Sequence, residues 1–444
     1  MAVAILYKGE LIFAGGFGKP IAIGELVVEG KMDWDTTPVN TYLSEFELKD
    51  PVLTSQLTLV DLLSHRTNLP SVFLRWFKSK ESRVELIKYL KYADQSSKLT
   101  SNLNYSNTMY AVAGEAGARV AGVSYEELVK TKVFEPLGLN NTGFSQSALK
   151  QFANYALPYD AVSFEDAKKG NFFRGELDED YLTDAPAGDI YSNVLDLARY
   201  GWAVLTLGEV DGKQVLSKES LAETWTGRTF SRATRRSPDF APIQGYSLGW
   251  AIDTYKDGLI SGYNSALDIY PDLDLIVAMQ ANVNKTALTE NLSYYILDEL
   301  LDLRRTQDWL FGVSPTKTER AYTMSDIAIR GQFPEKIANR PPAHSLKEYA
   351  GEYTNLAQGD ISIVYHEVED ALFFRHSAFD SRMEHHHFEL FTVVLKMFTF
   401  GDAMGVKFET GADGKVGAFT LVEPGYRDTV FERKVVSANF DTEG

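Results

Sequence analysis

Cysteine is absent from the 444-residue sequence. This absence excludes a disulfide framework, a thiolate nucleophile and a thiolate metal site, and it leaves the redox compartment open. No apolar run approaches the roughly 18 residues that a membrane-spanning helix needs. The N-terminal sequence MAVAILYKGELIFAGG also lacks the parts of a secretory signal. We therefore expect a cytoplasmic protein. Because the first residues already alternate as a strand, we also expect that an earlier piece is missing, in which case secretion stays open.

Positive charge is in short supply. Lysine and arginine number 44 against 61 aspartates and glutamates, which gives a formal net charge of −17. Binding to a nucleic-acid backbone needs clustered lysine and arginine side chains, and none cluster here. We therefore expect neither a nucleic-acid nor a membrane partner, and the sequence leaves the oligomeric state open.

The composition is typical of a globular protein with a substantial core, since 44% of the residues are hydrophobic and 12% are aromatic. Single cores usually stop growing near ~250 to 300 residues, so a chain of this length is expected to form two domains. The sequence FPEKIANRPPAH at 333–344 is polar and rich in proline, which is typical of a linker. Residues 1–332 and 345–444 are then the two domains.

Apolar patterning predicts the elements of the first domain. Ala2–Tyr7 and Glu10–Ala14 are predicted to pair as a β-hairpin. The sequence IAIGELVVEGK after Pro20 predicts a short buried helix that ends at Gly30. Residues 58–144 place apolar side chains three and four apart, as helices do, whereas SALDIYPDLDLIVAMQAN alternates as strands do. Strands at both ends with helices between them predict an α+β fold, in which helices cover an antiparallel sheet.

Residues 345–444 consist of short alternating segments such as ISIVYHEV, ALFFRH and MGVKFET. Alternation over short segments separated by turn residues is typical of strands. A small antiparallel barrel or sandwich is therefore predicted for this domain.

Four ordered motifs carry a resemblance to a known family: TLVDLLSHRTNLP, YSNTMYAVAGEAGARVAGVSYEELVKTKVFEPLGLNNTGF, PAGDIYSNVLDLARY and GYSLGW. Together they resemble the class C β-lactamases, D-alanyl-D-alanine carboxypeptidases and related esterases, from Ala2 to about Arg304. EYAGEY and HHHFELF resemble the β-barrel domain that often follows that hydrolase domain. The resemblance implies a β-lactamase/transpeptidase-like domain and a β-barrel, without a cofactor. It also implies a serine hydrolase or acyltransferase that acts on a small ester or amide.

The chemistry of this family rests on three motifs, Ser-x-x-Lys, Tyr-x-Asn, and a strand with Lys-Thr-Gly or His-x-Gly. Tyr105-Ser106-Asn107 matches the second motif and precedes a helix as in the family. The resemblance therefore assigns Tyr105 and Asn107 as catalytic residues, with the tyrosine moving the proton of the nucleophile. Tyr191-Ser192-Asn193 has the same letters, but it lies in the PAGDIYSN stretch that resembles a structural turn. Structurally, Tyr105 and Asn107 also fit a packed tyrosine beside a helix-capping asparagine.

The other two motifs are not found in the sequence. Residues 15–30 contain no serine or threonine, so the Ser-x-x-Lys segment is absent from its place. No Lys-Thr-Gly or His-x-Gly occurs between Trp250 and Tyr270. The first domain is therefore expected to be shortened near residues 19–20 and 258–259, with a truncated active site and no identified nucleophile.

Two Ser-x-x-Lys strings occur elsewhere, and we attribute both to chance. Ser147-Ala-Leu-Lys150 follows a turn that is expected on the surface. Ser314-Pro-Thr-Lys317 contains a proline, which is expected to spoil the helical presentation of both side chains.

Several other polar residues are candidates for a chemical role. His65 is expected to be a hydrogen-bonded loop residue rather than a base. On a strand, only His385 and His387 of the HHH run face the same side, and no carboxylate completes a metal site, so structural packing is favoured. Glu25 is a candidate for a buried carboxylate in the short apolar helix. No metal site is expected.

Two hypotheses for the function remain. The first is a family hydrolase or acyltransferase whose sequence is incomplete through splicing, gene structure or deletion, so that it is inactive as written. The second is a pseudoenzyme that uses the retained cleft or the barrel as a binding or scaffold protein. The DNA beside Lys19 separates the two, because it either contains or lacks an intact Ser-x-x-Lys segment.

Overall fold

The structure of the chain is a computed structural model. It describes residues 1–7, 10–11, 21–69, 72–76, 79–94, 103–175, 177, 183, 185–230, 245–252, 258–260, 263–303, 307–330, 333, 335–377, 379–397, 400–422 and 428–434. The chain divides into two compact units, of which unit 1 comprises Met1–Ser71 and Ser79–Thr323, and unit 2 comprises Val72–Lys78 and Met324–Gly444. The linker that the sequence predicts at 333–344 stays a prediction.

The helices are mostly short. In chain order they are α1 (Ile21–Val28), α2 (Val39–Tyr42), α3 (Pro51–Thr54), α4 (Leu59–Leu63), α5 (Phe73–Trp76), α6 (Arg83–Ile87), α7 (Asn107–Ala121), α8 (Tyr125–Val129), α9 (Glu135–Leu137), α10 (Gln146–Leu149), α11 (Phe164–Lys168), α12 (Val194–Leu205), α13 (Lys218–Thr224), α14 (Leu288–Leu300), α15 (Ser314–Arg330) and α16 (Leu346–Tyr349). None of the helices in the described ranges is both long enough and apolar enough to cross a bilayer.

The strands of unit 1 belong to one main sheet and several small ones. They are β1 (Ala2–Tyr7), β2 (Glu10–Leu11), β3 (Gly143–Phe144), β4 (Tyr159–Asp160), β5 (Phe173–Arg174), β6 (Ile190–Tyr191), β7 (Glu209–Val210), β8 (Lys213–Gln214), β9 (Thr229–Phe230), β10 (Gly245–Tyr246), β11 (Ala251–Ile252), β12 (Gly258–Ile260), β13 (Tyr263–Tyr270) and β14 (Leu275–Ala281). The described strands of the main sheet run in the order β12-β13-β14-β1-β2, and each pair is antiparallel.

Helices cover both faces of the main sheet. Because side chains alternate along a strand, Ala4 and Leu6 of β1 point to one face, where they pack with Ala198 of α12. Val3 and Ile5 point to the other face and pack in the cluster that contains α14 residues. The central strand β14 is buried almost throughout, as a strand covered on both faces must be. The α+β prediction is confirmed.

The first two elements confirm the local predictions. Strands β1 and β2 pair through Leu6 with Leu11, although residues 12–14 of the predicted hairpin lie outside the described residues. Helix α1 is apolar and mostly buried, and Gly30 follows it with a φ of +70°, a value that glycine adopts without strain. The helix packs against α7 and α13. It is therefore a core helix of unit 1.

Unit 2 contains a closed barrel. Its strands are β15 (Gly351–Asn355), β16 (Gly359–His366), β17 (Ala371–His376), β18 (Phe379–His387), β19 (Leu390–Met397), β20 (Phe400–Thr410), β21 (Val416–Val422) and β22 (Thr429–Arg433). Consecutive strands pair antiparallel, and β22 pairs with β15 to close the ring. The barrel, and not the sandwich, is the outcome of the two that the sequence allowed.

Candidate functional site

Tyr105 lies in the turn that leads into α7. The side chain is 58% exposed, whereas the neighbouring Ser106 is buried and occupies the position before the first helical residue. Asn107 is that first residue, and it is exposed. The interpretation of Asn107 as a capping asparagine is therefore wrong, whereas Tyr105 packs with its ring against His65 although it is largely exposed. Both side chains are presented at the surface of unit 1.

His65 holds the backbone on both sides of Tyr105. Its main-chain oxygen accepts a hydrogen bond from the amide of Asn104 at 2.8 Å. Its ring nitrogen Nδ1 accepts one from the amide of Ser106 at 3.1 Å. The ring centroids of His65 and Tyr105 are 4.3 Å apart. The main chain and the imidazole of His65 therefore hold the turn together, and the imidazole also lies against the tyrosine ring.

The local sequence explains why His65 stands there. Thr58 and Asp61 form a capping box at the start of α4, in which the threonine side chain and the aspartate side chain each bond the backbone of the other. The helix ends at Leu63, and His65 follows with a φ of +55°. A residue in this left-handed conformation commonly ends a helix and turns the chain away. The expectation of a hydrogen-bonded loop histidine is confirmed.

Burial sets the protonation state of His65. The residue has no exposed surface, and desolvation lowers its pKa from 6.5 to about 3. The ring is thus neutral at neutral pH. Because Nδ1 accepts a hydrogen bond, the single ring proton is on Nε2. In the described part of the chain Nε2 is buried and has no hydrogen-bond partner.

Two further tyrosines complete an aromatic cluster around this histidine. The ring of Tyr110 lies 4.9 Å from that of His65, and the ring of Tyr246 lies 4.7 Å from it. The Tyr110 hydroxyl donates to the Leu63 carbonyl at 2.7 Å. Burial raises the pKa of both phenols, so both stay neutral donors. We call His65, Tyr105, Tyr110 and Tyr246 the aromatic cluster.

The second Tyr-Ser-Asn triplet has a different role. Tyr191 is in β6, which pairs with β3. The side-chain oxygen of Asn193 accepts from the amides of Leu195 at 2.8 Å and Asp196 at 3.1 Å, so it caps α12. Of the turn predicted over PAGDIYSN, the structure has turn residues at 185–187, whereas Tyr191 is in a strand. The side chain of Asn193 binds the first-turn amides of its helix, which Asn107 does not do.

The segments where the first and third motifs are missing lie mostly outside the described residues. These segments include residues 12–20, with the 19–20 junction, and residues 253–257 and 261–262. Strand β12, which contains the 258–259 junction, is at the edge of the main sheet and pairs with β13. Helix α1 follows the first of these segments, and its residue Ile21 is fully buried.

The two other serine and lysine pairs have structural surroundings. Ser147 and Lys150 are exposed at α10, as expected for a surface turn. Ser314 and Lys317 are both in the first residues of α15, so the expectation that the proline spoils their helical presentation is wrong. Pro315 stands just after the π-helical turn Trp309–Val313, which passes directly into α15. Ser314 is buried, and its hydroxyl oxygen accepts from Asn291 at 2.9 Å.

The remaining polar candidates also have structural partners. Glu25 is partly buried, and its carboxylate accepts from the amide of Ser217 at 2.9 Å and from the Ser217 hydroxyl at 2.5 Å. A β-bulge between His385 and His387 interrupts the regular alternation of β18. There His385 lies 2.9 Å from the Phe388 carbonyl, and Nδ1 of His387 accepts from the amide of Ile337. Across the described ranges no three metal-ligating side chains gather.

Comparison with known families agrees with this geometry. The family described as Beta-lactamase matches residues 21–301. The family described as Domain of unknown function (DUF3471) matches residues 335–433, which includes the barrel strands. The first match contains the whole aromatic cluster.

Individual relatives are distant. Unguisins hydrolase ungD' of Aspergillus campestris is 24% identical over 369 residues, which are 77% of this chain and 65% of that protein. The chain thus spans slightly less than two thirds of this relative. The octameric penicillin-binding protein homologue from Pyrococcus abyssi matches with a TM-score of 0.53 at 19% identity, over 97% of this chain and 95% of that one. A class C beta-lactamase matches with a TM-score of 0.52 at 18% identity, over 67% and 90%. These structural matches show the fold.

Proposed function

Because the chain belongs to the Beta-lactamase family, which matches residues 21–301, we propose that it keeps the substrate-binding turn of a β-lactamase-related hydrolase at Tyr105 and Asn107. We further propose that the polypeptide as written forms no acyl-enzyme. Such a chain binds a small ester or amide without turning it over at a normal rate.

The observation that carries the proposal is the contrast between the two Tyr-Ser-Asn triplets. Asn193 caps a helix with its side chain, whereas Asn107 is exposed beside an exposed Tyr105. A buried histidine holds the turn of Tyr105 by hydrogen bonds on both sides. Fixing an exposed tyrosine in this way is what a group that contacts a ligand requires, since its orientation must exist before the ligand arrives.

The missing nucleophile supports the second half of the proposal. An acyl-enzyme needs an activated hydroxyl, which a lysine or tyrosine deprotonates while it attacks the carbonyl. Residues 15–30, which include the start of α1, contain no serine or threonine. Loss of the nucleophile from this kind of site typically removes about 10⁴-fold or more of the rate.

The substrate class is a proposal drawn from the family and from one relative. Unguisins hydrolase ungD' is named for hydrolysis of unguisins, and it shares 24% identity with this chain. Ester and amide bonds are the bonds that acyl transfer to a hydroxyl can cleave. We therefore propose a small ester or amide as the ligand that contacts Tyr105 and Asn107.

Covalent labelling tests the proposed inactivity. The full chain is incubated with a fluorophosphonate probe and with a fluorescent penicillin, beside an active penicillin-binding protein as the positive control. We expect no labelled band from this chain. A labelled band whose modified residue maps to any serine contradicts the proposal.

Binding tests the proposed pseudoenzyme role. Isothermal titration with penicillin G, which contains both a strained amide and a side-chain amide, is performed on the wild type, Tyr105→Ala and the matched variant Tyr191→Ala. We expect weak binding that Tyr105→Ala abolishes and Tyr191→Ala retains. Equal binding by all three proteins would show that Tyr105 does not contribute to binding, which contradicts the proposal.

The genomic sequence around Lys19-Pro20 and Gly258-Leu259 distinguishes the origin of the missing segments. An intact Ser-x-x-Lys reading frame next to Lys19 indicates an active full-length enzyme from which this chain was shortened. A genome without it indicates an evolved binding protein.

A further inference from the structure

The interior of the barrel is occupied by aromatic side chains. Rings lie in sequence along it, from Tyr349 to Phe408 at 4.7 Å, from Phe408 to Phe419 at 5.7 Å and from Phe419 to Phe431 at 5.0 Å. These four side chains have no exposed surface except Phe408, which is 2% exposed. A barrel that carries a small apolar ligand needs an open cavity, and rings in mutual contact fill the space that a ligand would take.

One member of this core comes from far away in the sequence. Leu74 in α5 is fully buried and belongs to the same hydrophobic cluster as the barrel strands. It is part of the segment Val72–Lys78, which is included in unit 2 although the residues on both sides of it are in unit 1. We call Val72–Trp76, the described part of this segment, the inserted turn. Its leucine gives the turn an apolar anchor in the barrel core.

Polar contacts hold the backbone of the inserted turn. Nε2 of His376 lies 2.6 Å from the Leu74 carbonyl oxygen, and Nδ1 lies 2.6 Å from the carbonyl oxygen of Asp360. The ring therefore lies between the turn and strand β16, and each nitrogen that carries a proton donates to the carbonyl oxygen beside it. A contact to a backbone carbonyl fixes position without reading the side chain, so it complements the apolar anchor.

Arg75, the next residue of the inserted turn, lies close to Gly359 and Asp360 of strand β16. Gly359 has a φ of +91°, and a Cβ at this position would lie 3.4 Å from Nη1 of Arg75. That distance is an ordinary van der Waals contact, so the positive φ, and not the approach of the guanidinium, is what favours glycine here. The carboxylate of the adjacent Asp360 is also affected. Burial tends to raise the pKa of that carboxyl group, but hydrogen bonds from Lys434 and Thr354 and the charges of Lys434 and Arg75 lower it overall.

We propose that the barrel is a peptide-binding module whose resident ligand is the inserted turn of the same chain, held by Leu74 in the core and by His376 on the backbone. This assigns the barrel a role as a receptor for a segment that lies between His65 and Tyr105 in the sequence. It is not a carrier of small apolar molecules.

Hydrogen exchange measured by mass spectrometry on the full chain tests the proposal. The amides of Arg75 and Trp76 bond to the Val72 carbonyl, so their exchange reports on the inserted turn. We expect His376→Ala to speed exchange of the 72–76 peptide about three- to tenfold, the effect of losing one hydrogen bond. His385→Ala removes a histidine of the same barrel that contacts the Phe388 carbonyl instead, and it should leave this peptide unchanged.

Two more measurements make the outcome decisive. Leu74→Ala is expected to release the turn more strongly than His376→Ala, because it removes the apolar anchor. If Leu74→Ala does not fold, His376→Ala alone decides, since His376 is only half-buried. Titration of the wild type with oleate is expected to show no stoichiometric binding.

Two outcomes overturn the proposal. One is unchanged hydrogen exchange at 72–76 in the variants, and the other is one bound oleate per chain while the turn stays protected from exchange.

Discussion

At the level of single residues, the same Tyr-Ser-Asn sequence has a different role at each of its two positions because the surroundings differ. Both Tyr-Ser-Asn triplets precede a helix, yet only Asn193 bonds the amides of the first turn. The flanking sequence distinguishes the two, because PAGDIYSN resembles a structural turn. The position of Asn107 as the first helical residue was not predicted, since a shift of one residue at a helix start leaves almost no trace in the sequence.

Replacement of Asn193 and of Asn107 is expected to lower the free energy of unfolding by different amounts. Asn193→Ala should lower the free energy of unfolding by about 1 kcal/mol, the usual effect of losing a helix cap. Asn107→Ala should change it by less than about 0.5 kcal/mol, as exposed substitutions do. Urea unfolding followed by circular dichroism measures both. Equal losses would mean that Asn107 also has a capping role.

The buried His65 is expected to make stability depend on pH. Its pKa is about 3 in the folded chain and 6.5 when unperturbed, so below pH 6.5 the unfolded chain binds a proton that the folded chain does not. The stabilisation from the neutral ring is complete above pH 6.5 and decreases as the pH falls toward 3. Between pH 7.5 and pH 5.5 this group should cost about 1 kcal/mol.

Urea unfolding at both pH values checks this dependence. His65→Asn is a suitable variant, because asparagine tolerates a positive φ and does not titrate. It should show a pH dependence that is smaller by about 1 kcal/mol. Asn107→Ala, in the same turn, is the control and should keep the wild-type difference. A His65→Asn curve parallel to that of the wild type would show that this ring is not the titrating group.

Short helices owe their positions to close contacts with neighbouring elements. Helix α1 was predicted from its apolar run and the glycine that follows it, but its neighbours α7 and α13 come from residues 107–121 and 218–224. The aromatic cluster shows the same limit. All four residues of the cluster are in motifs that carry the resemblance, yet Tyr246 is 136 residues from Tyr110 and no local pattern indicates that the two meet. Long-range packing decided these contacts.

Substitution of Gly24 tests the packing of α1. A methyl group there would overlap with the Ser220 side chain and lie 3.3 Å from the Trp34 ring. Gly24→Ala should therefore lower the unfolding free energy by about 1 to 2 kcal/mol, although alanine favours the helix by about 1 kcal/mol. Gly417→Ala in β21, where a Cβ would meet nothing within 4 Å, is the matched control. Thermal unfolding of both variants measures the difference, and a stabilised Gly24→Ala would contradict this packing.

At the scale of the whole molecule, sequence patterns predict the strands of the barrel but not which distant segment packs with them. Alternation of apolar residues predicted the barrel strands, because that pattern is local. Residues 72–76 have the letters of any short apolar helix, and their membership of unit 2 depends on a contact with strands made some 300 residues later. Only the three-dimensional structure reveals that a segment from the first part of the chain belongs to the second unit.

Weakening the barrel should therefore loosen the inserted turn as well. Phe374→Ala removes a fully buried ring from the barrel core, at a cost of about 3 to 5 kcal/mol. Hydrogen exchange should rise together in the barrel strands and in residues 72–76, while α7 keeps its protection. Leu197→Ala in α12 is the reciprocal variant and should loosen unit 1 elements. Exchange at 72–76 that follows Leu197→Ala and ignores Phe374→Ala would place the turn with unit 1.

The inserted turn also has a consequence for biosynthesis. Leu74 leaves the ribosome 302 residues before His376, its partner in the barrel. At about 5 to 20 residues per second, that separation corresponds to a delay of roughly 15 to 60 s. During this interval Leu74 lacks the strands that will enclose it, so the nascent chain is exposed to chaperones and proteases at this point until translation of the barrel is complete.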